Sequence, residues 1–175
     1  MKTFVWIIGK PGSGKTTIGD SLLKLKDDIV HYSYGQLLKE IQPNPSAEGY
    51  SMEDRQKVNE IILHASKDYS IVVVDGNPYS QIGFGFIDQI REGFDQIKVI
   101  HLCIDDQEAL LRLKQRGREV LEHDGSLQED RIKNFNEKLL PLIQEYGRSH
   151  DITEIKVGKD DSVEVIVQKV FEAII

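Results

Sequence analysis

The chain carries one cysteine, so no disulfide framework can form within it. That residue, Cys103, sits in the apolar run Val99-Ile100-His101-Leu102-Cys103-Ile104 and reads as a small buried hydrophobe, not a nucleophile or ligand. No His or Cys spacing marks a transition-metal site. Long apolar runs are missing too: none approaches the length of a bilayer span, and Phe4–Ile8 is too short for the core of a secretion signal. The expectation is a soluble, cytoplasmic protein with no membrane partner. Positive charge is scarce, with 22 Lys and Arg against 29 Asp and Glu, a net charge of −7 and no long basic tract. A nucleic-acid backbone is therefore not the expected partner. Internal repeats and low-complexity tracts are absent, and 175 residues suffice for one domain that buries a full core without a structural metal.

Against these absences, strand-like and helix-period stretches alternate from end to end, the pattern of an α/β domain with a mostly parallel sheet. Five strands are expected at Phe4–Ile8, Ile29–Tyr32, Ile71–Val74, Ile97–Ile104 and Ile152–Val157, the middle ones rich in the β-branched residues that suit burial on both faces. Helices are expected at Lys15–Leu25, Gln36–Ile41, Met52–Lys67, Asp105–Arg116, Leu127–Tyr146 and Val163–Ile174. Ser51-x-x-Asp54 and Ser162-x-Glu164 supply caps for two of these starts. Two segments, Gln42 to Gly49 and Gly117 to Ser126, have loop composition. Either can be a lid or a plain surface connection.

Gly9-Lys10-Pro11-Gly12-Ser13-Gly14-Lys15-Thr16 is a complete GxxxxGK[ST] loop between a strand and a helix start. Its glycines let the backbone turn with N–H groups inward, so that a polyphosphate can sit among donors at the positive end of the following helix. Lys15 reaches the outer phosphates of a nucleoside triphosphate, and Thr16 can ligate Mg²⁺. Ile71-Val72-Val73-Val74-Asp75-Gly76 is an apolar strand ending in a carboxylate, the place from which an acid holds Mg²⁺, usually through its waters. An Asp that merely caps the next turn is the alternative. His31 and His101 lie in strand-like runs and read as hydrogen-bonded structural histidines, and Trp6 reads as core.

Several segments extend the pattern. Asp75-Gly76-Asn77-Pro78-Tyr79-Ser80 resembles the Asp-Gly-Phe-Pro-Arg-Thr segment of adenylate kinases and other nucleoside monophosphate kinases. His31-Tyr32-Ser33-Tyr34-Gly35-Gln36-Leu37-Leu38-Lys39 is similar to their His-x-Ser-Thr-Gly-Asp-Leu-Leu-Arg, and Gly49-Tyr50-Ser51-Met52 to their Gly-x-x-Pro turn. Arg112-Leu113-Lys114-Gln115-Arg116-Gly117 matches their Arg-Leu-x-x-Arg-Gly at the lid entrance, with Arg131 in the helix after the lid. The resemblance covers nearly the whole chain.

It implies a three-layer α/β/α P-loop fold around a five-stranded parallel sheet, in a single kinase domain over residues 1–175. Within that domain it implies an acceptor-binding insertion at about residues 33–67 and a short lid at about 116–131. It also implies a monomer that moves the γ-phosphoryl group of Mg-ATP to a nucleoside monophosphate, releasing ADP. By resemblance, Lys15, Arg116 and Arg131 are catalytic; Gly12, Ser13, Gly14, Lys15, Thr16, Thr17 and Arg112 bind ATP, with Arg112 over the base; Ser33, Gly35, Lys39 and Tyr79 bind the acceptor; and Thr16 and Asp75 hold Mg²⁺. The acceptor side departs from the family. Lys39 and Tyr79 stand where two phosphate-gripping arginines belong, exchanging planar bidentate donors for a point charge and a phenol. Tyr34 and Gln36 replace a threonine and an aspartate near the acceptor base, Gly83 stands where a glutamine is expected, and Glu122-His123-Asp124 fills the stretch of the usual arginine and paired aspartates. Two other readings stay open: a kinase for a non-nucleotide small molecule, and an ATP-gated binding protein with slow hydrolysis.

Overall fold

The computed structural model of the chain describes residues 1–46, 49–76, 85, 87, 89–115 and 126–175. Five strands, β1 (Thr3–Gly9), β2 (Ile29–Ser33), β3 (Ile71–Asp75), β4 (Gln96–Cys103) and β5 (Ile152–Lys156), form one sheet in the order β2-β3-β1-β4-β5. Every pairing is parallel. Each strand lies within one residue of its expected ends, because β-branched runs with no polar alternation suit burial on both faces of a parallel sheet.

Side chains alternate along β1, so Val5 and Ile7 enter one core while Phe4, Trp6 and Ile8 enter the other. The first core is closed by α1 (Lys15–Leu22), α4 (Asp106–Gln115) and the C-terminal α7 (Val163–Ile174), through Ile18, Leu22, Ala109, Leu113, Ile166 and Val170. The second is closed by α2 (Tyr34–Ile41), α3 (Met52–Ala65) and α6 (Leu140–Tyr146), through Leu38, Val58, Ile62 and Ile143. The architecture is the three-layer α/β/α expected.

Some boundaries moved. The first helix ends at Leu22, not Leu25, and the chain leaves it through tight three-residue bonds from Lys24 N to Ser21 O at 3.2 Å and Leu25 N to Leu22 O at 3.0 Å. The helix expected at Leu127–Tyr146 is three pieces: α5 (Ser126–Asn134), a π-helical turn at Phe135–Leu139, and α6. Pro141 accounts for the break, since it has no N–H to donate to the carbonyl four residues earlier. Helical residues before a 3₁₀ turn at Arg91–Gly93 were not expected, as no periodic run of sufficient length precedes β4. Among the described residues no helix is long and apolar enough to cross a membrane.

Both predicted caps formed. Asp54 N donates to Ser51 Oγ at 3.1 Å while Ser51 N donates to Asp54 Oδ2 at 2.9 Å, a reciprocal capping box that starts α3. Val165 N donates to Ser162 Oγ at 3.4 Å at the start of α7. Ser51→Ala should therefore lower unfolding stability by about 1 kcal/mol in denaturant titration.

Candidate active site

The loop between β1 and α1 leaves the C-terminal edge of the sheet at its centre. Gly12 has φ +83°, and a Cβ built on it would lie 2.5 Å from the Ala109 carbonyl oxygen. A side chain there would force loop and α4 apart, so glycine is required twice over, by conformation and by space. Ser13 N donates to Lys10 O at 3.1 Å, and Ile18 N donates to Gly14 O at 2.9 Å, joining the loop to the first turn of α1. Lys15 Nζ turns back into the loop and donates to Gly9 O at 2.7 Å and Lys10 O at 3.2 Å. The Ser13 hydroxyl is buried and has no hydrogen-bond partner among the described residues. Lys10 reaches outward instead: its ammonium donates to Ile104 O at 3.1 Å and pairs with Asp106, whose other oxygen accepts from Asn136 Nδ2 at 2.8 Å. The loop is thereby tied to α4 and to the π-helical turn.

Asp75 ends β3 beside this loop, in register with Ile7 of β1 and Ser33 of β2. The turn after it is fixed by Gly76 N donating to Ile7 O at 3.2 Å and by the Trp6 indole N–H donating to Gly76 O at 2.9 Å. Trp6 is core, as expected, and its one polar atom also braces the metal-candidate strand end. Asp75 is only 4 % exposed. Its carboxylate accepts from Ser33 Oγ at 3.3 Å and lies 3.0 Å from His31 Nε2, while the other ring nitrogen, Nδ1, lies 2.9 Å from Asp20 Oδ1 of α1. His31 is thus the hydrogen-bonded structural histidine expected, but its partners make it part of the site. Burial works against charge on the imidazole, yet the hydrogen bonds to Asp75 and then Asp20 outweigh it and hold its pKa above the ordinary value. The His31 side chain is 3 % exposed.

The predicted residues separate into groups. Gly12, Ser13, Gly14, Lys15 and Thr16 lie together at the loop and helix start, with Thr16 exposed and Thr17 half-buried in α1. Arg112 projects from α4 and is anchored, Nε to Glu108 Oε1 at 2.7 Å and Nη2 to Gly158 O at 3.1 Å, so it borders the turn between β5 and α7. Arg131 is exposed on α5. On the acceptor side, the Ser33 hydroxyl is directed to Asp75, Gly35 lies in α2 with open space beside its Cα, and Lys39 is exposed near the end of that helix. Arg116, Tyr79, Gly83, Glu122, His123, Asp124 and most of the expected lid lie outside the described residues.

Sequence reasoning missed Asp20 and the Lys10–Asp106–Asn136 chain. Gly19 was the available signal, because a glycine inside a helix marks a close approach. A Cβ on Gly19 would stand 2.3 Å from His31 Nε2. An alanine in a helix normally gains stability over glycine by up to about 1 kcal/mol. Here the imidazole is pinned at both nitrogens and cannot retreat, so Gly19→Ala should reverse that sign and destabilise by about 1–3 kcal/mol in thermal or denaturant unfolding.

A pH signature accompanies it. With the folded pKa of His31 raised, its extra stabilisation is full below the unfolded value near 6.5 and is lost as pH rises through the folded value. The Tm difference between the native chain and His31→Gln should accordingly be larger at about pH 6 than at about pH 8.

A family model described as AAA domain matches residues 5–133, a span holding the glycine loop, Asp75 and Arg112. The chain is 28 % identical to an adenylate kinase of Nautilia profundicola over 190 residues, covering 99 % of this chain and 97 % of that one. It is 26 % identical to UMP-CMP kinase 2 of Caenorhabditis elegans, covering 99 % and 98 %. In fold it is similar to a gluconokinase of Sinorhizobium meliloti 1021, with a TM-score of 0.58 at 15 % identity over 98 % of this chain and 90 % of that one. The chain therefore belongs to the P-loop family described as the AAA domain, and it is adenylate kinase-like.

Proposed function

We propose that this protein transfers the γ-phosphoryl group of Mg-ATP to a nucleoside monophosphate. The observation that carries the reading is the intact loop beside the Asp75 strand end, in a chain that aligns along its full length with adenylate and UMP-CMP kinases. Phosphoryl transfer demands little covalent chemistry from a protein and much positioning and charge neutralisation. The loop N–H groups and Lys15 supply donors for the β- and γ-phosphates, and Lys15 exchanges its carbonyl partners for phosphate oxygens as they enter. Arg116 and Arg131 are assigned to the equatorial oxygens of the transferring group, and Arg112, anchored by Glu108 and Gly158, to the donor base. Ser33, Gly35, Lys39 and Tyr79 are assigned to the acceptor.

The donor set at the metal position, the Thr16 hydroxyl and the Asp75 carboxylate, is all oxygen and suits Mg²⁺. When bound, that ion would offset negative charge on the phosphates during transfer. Asp75 shares its own charge with His31, which favours holding the ion through water.

The same fold carries a gluconokinase, so fold alone does not choose the acceptor. Exposed Lys39 in place of a bidentate arginine, and a Ser33 hydroxyl engaged with Asp75, favour as a second reading a small phosphorylatable acceptor other than a nucleotide. A product-resolved assay with Mg-ATP against AMP, CMP, UMP, GMP and the deoxy-monophosphates separates the two. The expected result is one monophosphate consumed in step with ATP. ATP turnover indifferent to every monophosphate would reject the first reading. With the active acceptor in hand, Lys15→Ala should lower turnover by about 10²–10³ or more while circular dichroism and Tm stay those of the parent.

A further inference from the structure

The sheet brings together three donor groups that no spacing in the sequence announces. His101 and Cys103 are two apart on β4 and so share a face, and Glu154 of β5 stands directly across from His101 in the parallel register. Cys103 Sγ lies 3.4 Å from His101 Nδ1, which lies 3.6 Å from Glu154 Oε1, and all three donor atoms fall within 4.8 Å of one another. Tetrahedral Zn²⁺, with Zn–N, Zn–O and Zn–S bonds of about 2.0–2.3 Å, places neighbouring ligand atoms roughly 3.3–3.6 Å apart. The two separations made by His101 Nδ1 already fall in that range, and the third pair, Cys103 Sγ and Glu154 Oε1, lies within 4.8 Å.

From this geometry we infer a second metal site, for a borderline-soft divalent ion of the Zn²⁺ class, bound by His101 Nδ1, Cys103 Sγ and Glu154 Oε1 with one position open to solvent. The chemistry of the donors separates it from the proposed Mg²⁺ position: a thiolate and an imidazole select zinc-like ions, whereas Mg²⁺ prefers oxygen alone. The surroundings suit such an ion. His101 is 4 % exposed, with the Phe135 ring 6.2 Å away, so the floor of the site is largely dry and its ligands are held by two hydrogen-bonded strands. Glu154 is exposed and marks the way in. Burial, only partly offset by Glu154, keeps His101 below the usual imidazole range, so it stands neutral and ready to donate its lone pair. Burial also pushes the Cys103 thiol up to about 11, so near neutral pH the thiol keeps its proton until an ion displaces it. Lys10 and Lys156 act against positive charge here. The first is already paired with Asp106, and a bond to sulfur outlasts such repulsion where a loosely hydrated ion would not. On binding, the S–H bond breaks, a metal–sulfur bond forms, and one proton passes to buffer for each ion bound.

Cobalt reports directly on this assignment. Tag-free, chelator-treated full-length protein is titrated with Co²⁺ near pH 7.5. The expected result is saturation at one equivalent, a thiolate-to-cobalt charge-transfer band with the visible bands of a tetrahedral ion, and release of one proton per ion. Zn²⁺ should erase the spectrum, and a large excess of Mg²⁺ should leave it. Cys103→Ser, near-isosteric and checked for parental Tm, should remove the charge-transfer band, and Glu154→Gln should weaken binding by about tenfold or more. No thiolate band in the folded native protein would overturn the site and leave the cluster as a polar contact between His101 and Glu154. The same holds for displacement by Mg²⁺, or for a band that survives in Cys103→Ser. None of these readouts depends on phosphotransfer.

Discussion

The molecule is organised by β1, a central strand whose seven residues are all buried and which pairs with β3 on one side and β4 on the other. A one-residue slip of this strand would exchange the two cores, sending Phe4, Trp6 and Ile8 into the space of Val5 and Ile7, so its register is strongly specified. Register is also what builds the site. It sets Ile7 beside Asp75 and Gly9 beside Leu102, so the glycine loop starts where its two neighbours end. From there β1 sends the chain toward β2 while β4 sends it toward β5, and adjacent strands with diverging connections leave a crevice between them.

Around that crevice, charge is arranged in closed pairs. Lys10 pairs with Asp106 and, through it, reaches Asn136, so loop, α4 and π-helical turn form one polar network. On the other side His31 joins Asp75 to Asp20, sharing one imidazole between two carboxylates that would otherwise stand near each other uncompensated. Gly19 exists to make room for that ring. The loop cation Lys15 and the acid Asp75 are thus both held in place by neighbours from different elements, which is how a site keeps its geometry while its own charges change partners.

The strands were legible because apolar β-branched runs leave few alternatives, and the glycine loop because its chemistry forces a fixed spacing. Helix ends were less so. Leu23 and Leu25 continue an apolar pattern that the backbone leaves at Leu22, since both are exposed and neither rewards another turn. Pro141 lies inside the apolar periodicity of Leu127–Tyr146, which reads through it. Side-chain relations across the sheet were not legible at all. That His31 meets Asp20 and Asp75, or that Glu154 stands opposite His101, follows from strand order and register, and no local pattern encodes either. Cys103, read as a buried hydrophobe, is only partly buried.

β5 closes the sheet on one side with five residues, of which Thr153, Glu154 and Lys156 are exposed. An edge strand offers unpaired backbone groups to any other chain that can lie along it, and short length with alternating charge is a common defence. A passing strand would have to bury Glu154 and Lys156 against its own side chains to add a sixth rung. The sheet therefore carries its own stop signal against growth by edge-to-edge pairing.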